Sequence, residues 1–293
     1  MFKNILGPRL SLILSMTVFG TIGLFVRNIA VTSGEIALYR SVMAVGLIGA
    51  FLVITKQRIS LKTIRKEAIL LLFSGVAMGF NWILLFEAYR YTTVSAATLS
   101  YYFAPVIVTV ACPILFKEKL TVKQIVCFVF STVGIVLITG IGDIGGGRHW
   151  IGILLGLGAA MLYATVVLLN KFIRNVEGIR RTFLQFFSAM VVLTPYVLLT
   201  DGISLHKLDG AGWLNLLIVG VVHSGIAYCL YFSALRHLSG QQAALLSYVD
   251  PLVAVVMSVT ILGETMTDMQ IVGGALILGF TLWNELTPIR GHQ

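Results

Sequence analysis

Apolar residues run along this chain in ten long stretches, and polar residues collect in the gaps between them. The stretches are roughly Leu10 to Val26, Ile36 to Ile54, Ala68 to Phe86, Val94 to Phe116, Gln124 to Ile141, Trp150 to Leu169, Phe183 to Leu199, Trp213 to Phe232, Ala243 to Leu262 and Met269 to Trp283. Most carry no charged face, so they do not read as amphipathic helices on a water-soluble core. About 20 apolar residues cross the hydrocarbon core of a bilayer, and fewer suffice when flanking side chains snorkel. A lone segment in lipid satisfies its own backbone hydrogen bonds only as a helix. The pattern therefore predicts an all-α integral membrane protein with ten transmembrane helices.

Composition agrees. Only 11% of the 293 residues are charged and mean hydropathy is +0.95, against about 25% charged in soluble domains. The net charge of +9 comes without any basic-aromatic module, so no nucleic-acid partner is expected. Cys112, Cys127 and Cys229 lie inside apolar runs without metal-ligand spacing, and read as small buried hydrophobes. Lys3 and Arg9 precede the first run, which has no clear small-residue cleavage site after it and reads as a retained span.

Charge placement sets orientation. Sixteen lysines and arginines fall in gaps on one side, from Lys3 and Arg9 through Lys62, Arg65, Lys123 and Arg181 to Arg290, and four fall on the other: Arg27, Arg90, Arg148 and Lys207. Arg40 lies within the second span. Basic loops stay in the cytoplasm, so the expectation is a multi-pass protein of the cytoplasmic membrane with both termini inside. An even number of spans satisfies this.

The chain also repeats itself. Phe86, Ala88, Arg90, Ala96, Ala97, Tyr102, Pro105, Glu118 and Gln124 recur as Phe232, Ala234, Arg236, Ala243, Ala244, Tyr248, Pro251, Glu264 and Gln270, and the two prolines are 146 positions apart. Residues 1–142 and 150–293 then form two five-helix repeats joined by a glycine-containing linker at 143–149. An odd number of spans per repeat turns the second half upside down relative to the first. Inverted repeats are the usual framework of alternating access, in which one repeat rocks against the other around a central site.

The stretch from Phe86 through Glu87, Tyr89, Arg90 and Val94 to Ala97, with Pro105, Lys117, Glu118, Lys119 and Gly134, and the second copy through Pro251, Gly263, Glu264 and Gly279, resembles the EamA type of the drug/metabolite transporter superfamily. That resemblance implies a central cavity lined mainly by the first, third, fourth, sixth, eighth and ninth spans. It also implies transport of amino acids or related small metabolites, usually outward.

Polar groups within hydrocarbon are costly and are functional candidates by default. Asp250 stands directly before Pro251, which removes a helical hydrogen bond and frees a carbonyl. It suits a substrate ammonium or a coupling proton, and its counterpart in the first half is Ala104, so the charge is not demanded by the repeat's packing. His223 lies at a similar depth, where a proton-sensitive pair with Asp250 would form. Asn81 and Trp82 fall midway along the third span. Tyr101 and Tyr102 precede Pro105 as Ser247 and Tyr248 precede Pro251, and would face one another across the pseudo-twofold axis. Tyr163 and Tyr228 extend the aromatic lining, which suits an amine through cation–π contact. Arg40 and Glu87, both near the outer face, are expected to pair as a structural or gating ion pair.

These residues point to a secondary transporter, exporting an amino acid or related amine, with a small molecule, lipid and a coupling proton or counter-substrate as partners, as a monomer or homodimer. Import of an organic cation such as a quaternary amine is the alternative, since no midplane basic group for a carboxylate is obvious. A multi-span enzyme or scaffold is the non-transport alternative. No triad, metal cluster or nucleotide motif supports an enzyme, and no cofactor or metal is expected.

Overall fold

The computed structural model describes residues 7–57, 61–116, 121–139, 147–176, 178–200, 202–235, 237, 238, 243 and 246–286. Among them no residue is in a strand. Arg58, Lys117, Glu118, Lys119, Arg236, Ala244, Arg290 and much of the expected linker, at 143–146, lie outside these residues.

Every apolar run contains helix. The first span is α1 (Pro8–Gly20) continued by α2 (Ile22–Val26), and the second is α3 (Ser33–Ile54). Its start follows from a capping box: the Thr32 hydroxyl accepts from the Glu35 amide while the Glu35 carboxylate accepts from the Thr32 amide. The third, α4 (Leu61–Tyr91), begins seven residues before its apolar run, because Lys62, Arg65, Lys66 and Glu67 are good helix formers. Glu67 then reaches the end of the sixth span, accepting from the backbone amides of Arg174 (2.8 Å) and Asn175 (2.9 Å).

The fourth span is broken into α5 (Val94–Tyr101) and α6 (Ala104–Phe116). Pro105 cannot donate to the carbonyl one turn earlier, so the ladder is interrupted there. The fifth, sixth and seventh spans are α7 (Val122–Thr139), α8 (His149–Phe172) and α9 (Gly178–Thr200). The eighth runs through α10 (Gly210–Leu217), a π-helical stretch Ile218–Ile226 and α11 (Ala227–Leu235). The ninth contains α12 (Val249–Thr260), entered through a turn at Tyr248, and the tenth is α13 (Asp268–Leu286). Seven of these are long and apolar enough to cross a membrane; Val122–Ile138 and Val249–Thr260 are shorter apolar helices. The whole is an all-helical membrane protein of the ten-helix type.

Polarity is distributed as lipid requires. Ile69, Phe73, Val122 and Leu199 are exposed, whereas Glu35, Arg40, Asn81, Gln185 and His223 are buried. A protein in water would hold the opposite arrangement.

Contacts between spans come in mirror pairs. The third span packs on the sixth and seventh, and its counterpart, the eighth, packs on the first and second. The fourth lies on the sixth as the ninth lies on the first, and the second pairs with the seventh, the fourth with the ninth and the fifth with the tenth. Glycines make the same statement at atomic scale. A Cβ on Gly79 would press on Leu193, and one on Gly225 would press on Leu47; both glycines and both leucines are 146 positions apart. The repeat seen in the sequence is thus an exchange symmetry of the packing.

A tight, reciprocal seam joins α7 to α13. A Cβ on Gly134 would stand 2.6 Å from the carbonyl oxygen of Gly273, and one on Gly273 would stand 2.5 Å from that of Gly134. Small residues are what let two backbones approach this closely in lipid. Gly134→Leu is therefore expected to cost about 1–3 kcal/mol and to lower the melting temperature in detergent. Gly279→Leu, which meets nothing within 4 Å, is expected to stay within about 0.5 kcal/mol. Equal effects in thermal unfolding would contradict the seam.

Candidate functional site

The two proline breaks meet at the centre of the bundle. Pro105 lies in the first turn of α6 and Pro251 in the first turn of α12, and the turns before them hold Tyr102 and Tyr248. Tyr102 crosses between the halves, its hydroxyl donating to the Asp250 carboxylate at 2.6 Å. Asp250 sits in the opening turn of α12, where the helix dipole favours a negative group. The first span presses against it: a Cβ on Gly20 would lie 2.5 Å from the Asp250 carbonyl oxygen. Tyr101 meets the rings of Tyr102 at 5.9 Å and Tyr163 at 5.4 Å. Tyr89, Tyr101, Tyr163 and Tyr228 all stand within electrostatic reach of Asp250.

A second group lies beside this one. Trp82 is buried, not facing lipid, with its ring 4.9 Å from Phe186. Phe186 in turn meets Tyr228 edge-on at 5.2 Å. The Arg40 guanidinium stands over the Trp82 ring at 4.4 Å and over Phe86 at 5.7 Å. Arg40, Trp82, Phe186 and Tyr228 therefore form a cluster about the pseudo-twofold axis, because Arg40 corresponds to Phe186 and Trp82 to Tyr228 at the same offset of 146.

The expected pairing of Arg40 with Glu87 is not formed. Glu87 accepts from the Ser33 hydroxyl at 2.6 Å and lies 3.6 Å from Arg90. Arg40 is two helical turns beyond Ser33, about 10 Å deeper at 1.5 Å per residue, and its Nε donates to the Ser224 hydroxyl at 2.6 Å. The two charges occupy different levels.

His223 and Asp250 likewise do not pair. One His223 nitrogen lies 3.1 Å from the Thr21 hydroxyl, at the break between α1 and α2, and the other 3.2 Å from the Ile218 carbonyl. Both nitrogens are engaged, and Phe25 packs on the ring at 5.3 Å. The π-helical stretch around His223 and Ser224 turns these two side chains toward the first and second spans, and such bulges recur at functional sites. Asn81 donates to the Ala159 carbonyl at 2.6 Å, tying the third span to the sixth. Ser247 donates to the Ala243 carbonyl of its own span at 2.8 Å; the crossing contact found at the breaks is that of Tyr102 with Asp250. Tyr248 occupies the N-cap position of α12 without a side-chain capping bond, and Tyr163 is 41% exposed, at the edge of the aromatic group.

Sequence reasoning missed a latch at the end of the bundle that holds Arg27, Arg90 and Glu264. Glu264 forms an ion pair with Arg27 and accepts from the Val94 amide at 2.9 Å and from the Ser258 hydroxyl. Arg27 also donates to the Tyr89 carbonyl at 3.2 Å, and Arg90 to that of Val31 at 2.6 Å. A cleft of about 250 Å³ lies here, lined by Val26, Arg27, Ile29, Phe86, Tyr89 and Arg90. The recurrence of Glu118 as Glu264 was the available signal, but sequence alone does not connect it to Arg27.

The EamA-like transporter family pattern matches this chain twice, over residues 9–140 and 150–284. The chain is 28% identical over 275 residues to the uncharacterized transporter YxxF of Bacillus subtilis (strain 168), covering 92% of this chain and 86% of that protein. It is 27% identical over 172 residues, 56% of this chain and 58% of the relative, to a Salmonella typhimurium protein named "probable amino-acid metabolite efflux pump". One crystal structure, of a protein 16% identical, superposes with a TM-score of 0.65 over 96% of this chain and 97% of its own. At that identity the match speaks for the fold alone.

Asn81 ties helices together, so Asn81→Leu is expected to cost about 0.6–1.7 kcal/mol, the range for interhelical side-chain hydrogen bonds in membranes. Thermal unfolding in detergent measures this, and an unchanged melting temperature would count against the tie.

Proposed function

Because the chain belongs to the EamA-like transporter family, we propose that it is a secondary transporter exporting an amino acid or related amine across the cytoplasmic membrane by alternating access. One observation carries the reading. A carboxylate present in only one repeat, Asp250, is held by a tyrosine of the other repeat where both central helices are broken. An acid inside a membrane bundle is costly unless it has work to do. A substrate ammonium would replace the Tyr102 hydroxyl or join it, and the surrounding tyrosines offer ring faces to the same cation. The contact joins the two halves, so occupying it biases how one half sits against the other. The amino-acid efflux name of the Salmonella relative supports both the substrate class and the outward direction.

The excess of lysine and arginine in the loops of the opposite side supports an outward-facing Arg27 and Glu264 end. In that frame the Arg27–Glu264 latch closes the outer end, and its release opens the chamber outward. Energy comes from an ion or substrate gradient, with Asp250 as the group for which a proton and the substrate ammonium compete.

A thermal-shift screen of purified protein against amino acids, amines and sugars is expected to select ligands with an amino group. Asp250→Asn is then expected to abolish accumulation of the selected ligand in proteoliposomes while leaving the melting temperature within a few degrees. Transport that persists in this variant with an unchanged pH profile would remove Asp250 from the mechanism.

A further inference from the structure

The guanidinium of Arg40 lies in the membrane interior with 4% of the residue exposed. Nε donates to the Ser224 hydroxyl and the guanidinium carbon lies over the Trp82 ring. Among the described residues neither terminal nitrogen meets an acceptor, and no carboxylate lies within ion-pair distance of the group. A buried cation left without an anion is strongly unfavourable, and something has to offset that cost.

Packing does not explain the charge. The mirror position holds Phe186, which lies against Tyr228 as Arg40 lies against Trp82. The same niche is thus filled by a flat apolar ring in the other repeat. Ser224, which orients the guanidinium, corresponds to Met78 at the same offset, so the whole polar arrangement belongs to one half. Asp250, matched by Ala104, is the other such charge. Tyr89, Tyr101 and Tyr228 stand within electrostatic reach of both, yet the two charges do not form a salt bridge with each other.

We propose that Arg40 is the substrate's carboxylate site, its two terminal nitrogens receiving the anion in a bidentate pair while Ser224 and Trp82 hold the fork in place. The inference rests on the transporter reading and narrows it: the cargo carries a carboxylate and an ammonium on one small molecule, bridging Arg40 and the Asp250 group across the tyrosines. Guanidinium is the side chain suited to this, since its rigid fork matches a carboxylate's two oxygens. A purely cationic substrate would leave Arg40 uncompensated and be repelled by it.

The test compares amino acids with their decarboxylated amines on the purified full-length chain: leucine with isoamylamine, phenylalanine with phenethylamine, lysine with cadaverine. Dissociation constants come from thermal shift or radioligand binding. For the pair that binds, the wild type is expected to prefer the amino acid by about 10- to 100-fold, the scale of a charge-assisted hydrogen-bond pair. Arg40→Phe copies the mirror position and is expected to fold with an undiminished melting temperature. It should lose that preference while amine affinity holds or rises, since the repelling charge is gone. Arg40→Lys should keep part of the preference, and Arg40→Gln, closer in shape, serves as second variant if the phenylalanine does not fold. A folded variant that still prefers the amino acid overturns the assignment, as does equal loss of both ligands. Amines binding the wild type as tightly as amino acids would sink the carboxylate site and leave the transporter reading standing. If neither class binds, both fall.

Discussion

Hydrocarbon supplies no hydrogen bonds, and this constraint organises the molecule. Each backbone group must be satisfied within its own helix, which explains why the apolar runs are helical and why breaks occur inside the bundle. Most buried polar side chains follow the same rule, the exceptions among the described residues being Glu67 Oε2 and Ser131 Oγ. Glu35, Glu67, Gln185 and Asn81 are buried and spent on partners in neighbouring elements: Ser204 for Glu35, the Arg174 and Asn175 amides for Glu67, Ser74 and Asn170 for Gln185, and Ala159 for Asn81. Without a hydrophobic force between helices, close packing at glycines and these ties hold the spans together.

Within that economy the two repeats pack as mirror copies, and the departures from the mirror are informative. Gly79 and Gly225, Leu193 and Leu47, Tyr102 and Tyr248, Pro105 and Pro251 keep their counterparts. Arg40 and Asp250 do not: they face Phe186 and Ala104 across the repeat. A scaffold needs the first set. The second set adds charge of opposite sign beside the central aromatic side chains, and the proposed cargo, with an anion and a cation on one molecule, complements it. On the proposed reading, binding gives Arg40 an anion and Asp250 a cation, which favours conformations in which the halves close around the cargo.

Much of this was legible in the residues and part was not. The spans, their number and the repeat follow from hydropathy and from the offset between Pro105 and Pro251, because lipid enforces a simple pattern. Asp250 stood out for the same reason, as a charge beside a proline in an apolar run. Pairing between helices was not legible. Arg40 and Glu87 looked like partners by depth, but helical position set them two turns apart, with Ser33 and Ser224 as the true neighbours. His223 and Asp250 shared a level yet faced Thr21 and Tyr102. Arg27 and Glu264 are 237 residues apart in sequence, and only the fold joins them. Periodicity reports which face of a helix is apolar, whereas lateral contacts depend on how the spans are arranged around one another.

The proposed alternating access rests on the two halves threading the membrane in opposite senses, so that a shared chamber opens to each side in turn. Single cysteines replacing Lys62, before the third span, and Lys207, before the eighth, report this directly when placed in a chain whose three native cysteines are replaced by alanine. A membrane-impermeant maleimide applied to intact cells is expected to label the Lys207 position at once and the Lys62 position only after permeabilisation. Labelling of both from the same side would contradict the inverted arrangement and the transport cycle built on it.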